Sequence, residues 1–148
     1  MDAGRDTPLV SEVRLVPIAD LKPHEYIHAE HFYHLRRHLL LHGMRTPIIA
    51  DRTTGIILDG HHRFTALKSL GARRVPVCHV DYDDERIVVR GWGDLLVTKE
   101  QVRGMAKSGA LFPCKTTRHM FLLGEREVHC STALPEVRFP LSEMYKER

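Results

Sequence analysis

Two short apolar runs, Pro47-Ile48-Ile49-Ala50 and Gly55-Ile56-Ile57-Leu58, are separated only by Asp51-Arg52-Thr53-Thr54. Turn-forming residues between two β-prone runs predict a β-hairpin. The second run leads directly into Asp59-Gly60-His61-His62-Arg63. A helical pattern then runs from about Gly60 to Leu70, with Phe64, Leu67 and Leu70 inward and Gly71 past its end. A hairpin that feeds straight into a helix needs sheet and helix packed on one another. The class implied is α+β, a small mixed sheet with helices packed around it.

The flanking segments extend this scheme. Val13 to Ile18 alternates weakly and predicts a short strand ended by prolines. A helix is expected from about Ala29 to His42, with Phe32, Leu35 and Leu39 on one face and Gly43 as its cap. Val75 to Tyr82 reads as a strand, and Pro76 argues for an edge position because it lacks an N–H. Arg86 to Arg90 reads as another strand. Thr98 and Gln101 form a capping-box pair at the start of a helix ended by Ser108-Gly109, with Val102, Met105 and Ala106 as its apolar face. Strand-like pieces follow at Met120 to Leu123 and Glu136 to Phe139.

A chain of 148 residues with 43% hydrophobic and 28% charged residues can bury a core without staples, which excludes wholesale disorder. Residues 1–12 are expected as a flexible lead-in and residues 13–148 as a single domain. No apolar run approaches the roughly 20 residues of a membrane helix, and the first residues lack a signal peptide's apolar segment; the expectation is a cytoplasmic protein. The net charge of +3 suits anionic small molecules and argues against a nucleic-acid binder, which needs a denser basic stripe. Cys78, Cys114 and Cys130 are odd in number and form no C-x-x-C pair, which argues against a disulfide framework.

Asp59 to Arg63 is the strongest local signal for chemistry. A glycine at a strand-to-helix junction admits close approach of a ligand to the backbone. The free N–H groups and positive end of the helix then face that ligand, as in phosphate sites. Two histidines and an arginine add donors. The alternative for Asp59 is a plain helix cap. Lys115-Thr116-Thr117-Arg118-His119 is expected as a basic loop for a carboxylate or phosphate, with a solvated loop as the competing account.

This segment resembles the ParB/sulfiredoxin superfamily, whose members place a G-x-x-R element at a helix start after a hairpin and use it to hold nucleotide phosphates. The resemblance extends to Leu21-Lys22-Pro23-His24-Glu25, to the helix through Gly71, to Arg90-Gly91-Trp92 and to Lys115 through His119. That ordered set is most similar to the ParB-like free serine kinases, which phosphorylate L-serine to O-phosphoserine. The resemblance implies a phosphoryl transfer from ATP or ADP with Mg²⁺. It implies Glu25 as general base, Asp59 as its partner, and Gly60, His61, His62 and Arg63 as the phosphate-binding turn. Trp92, Lys115, Thr116, Thr117, Arg118 and His119 would hold serine. A non-catalytic ParB-like nucleotide switch or a DNA-associated regulator is the alternative. Sulfiredoxin carries a reactive cysteine where His61 stands, which disfavours reductase chemistry. The length leaves little room for a partitioning ParB's helix-turn-helix and suggests a trimmed segment between Trp92 and Lys115.

Other patterns read as structural. His31, His34, His38 and His42 recur at helical spacing, but no carboxylate or cysteine completes a metal set, so the stripe reads as a solvated flank. Cys114, His119, His129 and Cys130 are dismissed as a metal site because residues 129 and 130 are adjacent. Asp81, Asp83, Asp84 and Glu85 read as an acidic turn.

Overall fold

The computed structural model describes residues 7–145. In chain order the elements are strand β1 (Arg14–Pro17), helix α1 (Ala29–His42), β2 (Ile48–Asp51), β3 (Ile57–Asp59), α2 (His61–Ser69), β4 (Arg74–Val80), β5 (Ile87–Gly91), α3 (Lys99–Ser108), β6 (Thr117–Leu123) and β7 (Arg126–His129). The strands form a four-stranded mixed sheet, β1-β4-β2-β3, and a three-stranded sheet, β5-β6-β7.

The larger sheet divides two cores. Along β2, Ile48 and Ala50 join a cluster with Leu39, Phe64 and Leu67 of α1 and α2. Ile49 faces the other way, into a cluster with Val102, Ile87 and Phe121 of α3, β5 and β6. β3 repeats the alternation, with Ile57 on the first side and Leu58 on the second. A strand buried on both faces must be apolar throughout, which is why Pro47 to Ala50 shows no polar alternation. The molecule is thus a helix layer, a four-stranded sheet, and a layer of the smaller sheet with α3.

The expected hairpin is present, with β2 and β3 antiparallel and a bulge between Ile49 and Ala50. Asp51 sets its turn by accepting from the N–H and hydroxyl of Thr54. Helices α1, α2 and α3 match the predicted spans to within their caps, and both halves of the Thr98–Gln101 capping box form.

Three expectations need correction. β4 lies inside its sheet, antiparallel to β1 and parallel to β2, although Pro76 argued for an edge. The β2 ladder begins only at Val77, so Pro76 stands just before it and is paired on one side alone, with Leu15 of β1. Glu136 to Phe139 forms no strand: Val137 and Phe139 bond to loop residues Arg45 and Met44, leaving an isolated bridge. Thr117 to His119, expected in a loop, open β6. Part of the lead-in is also held, since Leu9 and Val10 pack on the second core and Ser11 brackets His79 of β4 with two bonds. Residues 1–6 lie outside the described residues.

Candidate active site at the start of helix α2

Gly60 turns the chain from β3 into α2 with φ 109° and ψ 25°, in the left-handed region. A Cβ there would lie 3.0 Å from both Arg63 Nη2 and Ile48 Cγ1, so only glycine fits without strain. No side chain caps the helix. The alternative reading of Asp59 as a cap therefore fails: its carboxylate instead accepts from Arg63 Nη2 at 3.1 Å. The first-turn N–H groups of α2 are left facing a cleft of about 370 Å³.

Glu25 reaches the same cleft from a loop that is tied down along its length. Lys22 exchanges backbone bonds with Gly55 and Ile57 at the β3 edge. His24 is fully buried; its Nε2–H donates to Ile57 O at 2.8 Å. Backbone bonds from Phe112 to His24 and from Tyr26 to Phe112 grip the other side. The Glu25 carboxylate then accepts from Lys115 N–H at 2.5 Å, Thr117 N–H at 3.3 Å and the Thr117 hydroxyl at 2.8 Å. Burial raises its pKa above the ordinary carboxylate value against these bonds. A carboxylate so placed is a stronger base than one in water.

Eleven of the twelve predicted site residues line this one cleft: Glu25, Asp59, Gly60, His61, His62, Arg63, Trp92, Lys115, Thr117, Arg118 and His119. Thr116 does not, because its hydroxyl donates to Pro113 O and closes its own turn. His119 is at the cleft's base with both ring nitrogens engaged, Nδ1 with Leu58 O and Nε2 with the Tyr82 hydroxyl. Burial lowers its pKa to about 3, so the ring is neutral and its polar atoms are already used.

The histidines of the turn also differ from the side-chain donors expected. His61 Nε2 accepts from the His24 N–H at 3.1 Å, and His62 Nε2 accepts from the His28 N–H at 2.9 Å. Burial lowers the pKa of His61 well below the usual value. His62 falls to about 4, first through burial and then through neighbouring His31 and His28. Both rings are neutral at pH 7. Arg63 turns back to Asp59 and to Pro47 O. Arg118 stacks on Trp92 with its guanidinium carbon 4.8 Å from the ring centroid, and the ring is half exposed. The loop after Trp92 crowds Gly91, where a Cβ would meet Leu95 O at 2.2 Å.

Sequence reasoning missed His31, Leu35, Leu58 and His129, which also line the cleft. His31 belongs to the stripe read as solvated, yet its ring stacks on His62 at 4.3 Å. His129, Cys130 and Asp59 do converge, with ligand atoms within 4.8 Å of one another, against the reading that dismissed residues 129 and 130. Burial raises the Cys130 thiol's pKa, and Arg63 already pairs with one oxygen, Oδ2, of the Asp59 carboxylate. A set with one imidazole nitrogen and one thiol beside a single carboxylate does not suit Mg²⁺, which takes oxygen ligands.

No family model matches the chain. A ParB-like protein of Sulfolobus acidocaldarius is 40% identical over 57 residues, covering 38% of this chain and 29% of the relative. An ATP-dependent L-serine kinase of Staphylothermus marinus is 35% identical over 83 residues, covering 53% of this chain and 33% of the relative. The chain thus spans about a third of the curated relatives it matches. A solved free serine kinase in complex with AMP superposes with a TM-score of 0.74 at 17% identity, over 90% of this chain and 93% of that one.

The chain has the free serine kinase fold.

The expected ParB/sulfiredoxin-like α+β architecture is the one found. In that fold the α2 start and the Glu25 loop face each other across the cleft, and both lie on the larger sheet's β3 edge. Among the described residues no helix is long and apolar enough to cross a membrane.

Proposed function

We propose that this chain is a nucleotide-dependent free L-serine kinase that transfers a phosphoryl group from ATP or ADP to the serine hydroxyl. The observation that carries the reading is the half-buried carboxylate of Glu25, with a raised pKa, in one cleft with the uncapped N-terminus of α2. A helix start binds phosphate through its free N–H groups, and a carboxylate held by three donors is positioned to take a proton from an alcohol. The fold and the kinase relatives support the same assignment.

In this reading Gly60, His61, His62 and Arg63 hold the nucleotide phosphates, chiefly by backbone N–H. Glu25 accepts the serine hydroxyl proton. Lys115 and Arg118 take the amino acid's carboxylate, and Trp92 forms the wall of its pocket. Mg²⁺ would be held by Oδ1 of Asp59, because among the hydrogen bonds of the described residues Arg63 takes only Oδ2 of that carboxylate. When bound it supplies neutralisation of phosphate charge. We place the enzyme in the cytoplasm.

The ParB-like relative favours a second reading, a nucleotide-binding switch without serine chemistry. Incubation with L-serine, Mg²⁺ and ATP or ADP separates them. Formation of O-phosphoserine is the expected result. Nucleotide hydrolysis or binding with no serine product would leave the switch.

A further inference from the structure

The first turn of α2 holds its two histidines in an arrangement that phosphate binding does not explain. Their Nε2 atoms point away from any anion role, because each accepts a backbone N–H from the Glu25 loop. The two donors, at His24 and His28, lie on either side of Glu25 in sequence. A ring that accepts at Nε2 carries its proton at Nδ1, and the neutral state of both rings keeps the acceptor available.

Resting on the kinase reading, we infer that His61 and His62 are positioning residues: they register the Glu25 loop against the phosphate-facing helix start.

The argument is geometric. The phosphate side and the base side of the cleft belong to segments more than thirty residues apart in sequence, the pairs being separated by 37 and 34 positions. Phosphoryl transfer requires its base and its phosphate cradle to keep a fixed separation, and an error near 1 Å costs about 100-fold. Adjacent helical residues point roughly 100° apart, so two neighbouring imidazoles can reach two separate points on one loop. His61 takes the His24 end, where its ring lies edge-on to that of His24 at 4.5 Å. His62 takes the His28 end, backed by the stacked ring of His31. The loop's other ties run to the β3 edge and to the Phe112–Thr117 segment. Only the two histidines tie it to the helix start itself, among the bonds described.

The test uses the whole chain. In the wild type, ¹⁵N shifts of the ring nitrogens should show His61 and His62 as Nδ1–H tautomers; Nε2–H tautomers would overturn the clamp. His62→Leu should lower kcat for phosphoserine formation by tenfold or more while the Kd for ADP changes less than twofold. His62→Gln, whose Oε1 can accept at about the Nε2 position, should recover at least half of that loss on a logarithmic scale. If His62→Leu loses ADP affinity in step with turnover, the ring serves phosphate and the inference fails. Unchanged kcat in His62→Leu also defeats it. His61→Leu removes a more buried ring, so protection of the His24 amide from hydrogen exchange is measured beside its folding, and loss of protection in a folded variant is expected. A wild type that makes no phosphoserine defeats the kinase reading and its catalytic consequence, whereas the Nδ1–H tautomers would still support the clamp.

Discussion

The helix side of the cleft is built from five consecutive residues, Asp59 to Arg63, whereas the facing side gathers Glu25, Trp92 and Thr117 from three distant parts of the chain. The first is a local conformational fact: a left-handed glycine ends one strand and starts one helix. The second exists only after long-range pairing, since the donors to Glu25 lie 90 and 92 positions away. A binding turn can thus be written into a few residues. The groups that give it a reaction depend on how two sheets close.

Breaking the long-range side should have the largest effect. Under the kinase reading, Glu25→Gln keeps the shape but removes the base, and kcat should fall by about 10²–10⁴-fold, with ADP affinity nearly unchanged. Steady-state assay of O-phosphoserine beside an ADP titration checks this. Equal losses in both would move Glu25 from proton transfer to binding.

Acid should come next, and it acts on the seam between the sides. His24 and His62 have pKa values lowered to about 4 and His119 to about 3, all chiefly by burial. A lowered histidine pKa means the unfolded chain binds more protons, so stability is full above about pH 6.5 and is lost as pH falls toward the folded values. At roughly 1.4 kcal/mol per pKa unit, fully buried His24 alone contributes on the order of 3 kcal/mol. Glu25, with its raised pKa, has the opposite sign but is one group against several. Urea midpoints near pH 7 and near pH 4 should differ clearly; equal midpoints would mean these rings are not buried neutral.

On the local side, Gly60→Ala places a Cβ at 3.0 Å from two neighbours in a left-handed backbone. The expected cost is about 1–3 kcal/mol, read as a lowered Tm together with weaker ADP binding. The smallest effect belongs to Trp92→Ala. It removes an exposed stacking contact with Arg118 worth about 0.5–1 kcal/mol, so KM for serine should rise about two- to fivefold with Tm nearly unchanged. An unaltered KM would remove Trp92 from the serine pocket.

The contrast between the sides also explains what the sequence made legible. The hairpin, the three helices and the Asp59–Arg63 junction rest on local periodicity, caps and turn residues, and they emerge where predicted. β7 was missed because Arg126-Glu127-Val128-His129 has one apolar residue and no alternation to reveal it. Thr117 to His119 looked like a basic loop because nothing local announces that β5 will pair with it. The function of the His61 and His62 rings was likewise hidden. Their place beside Gly60 reads as phosphate donors, but burial and two backbone N–H groups make them neutral acceptors. The resemblance to serine kinases named Glu25; only the folded chain shows what holds it.

The uncapped start of α2 has a consequence for how such a site is dissected. Its free donors are peptide groups, which every residue except proline supplies identically. An alanine scan of positions 61 to 63 would therefore leave these donors in place and report only on the side chains. Exchanging an amide for an ester in that turn, one N–H at a time, would address the donors directly.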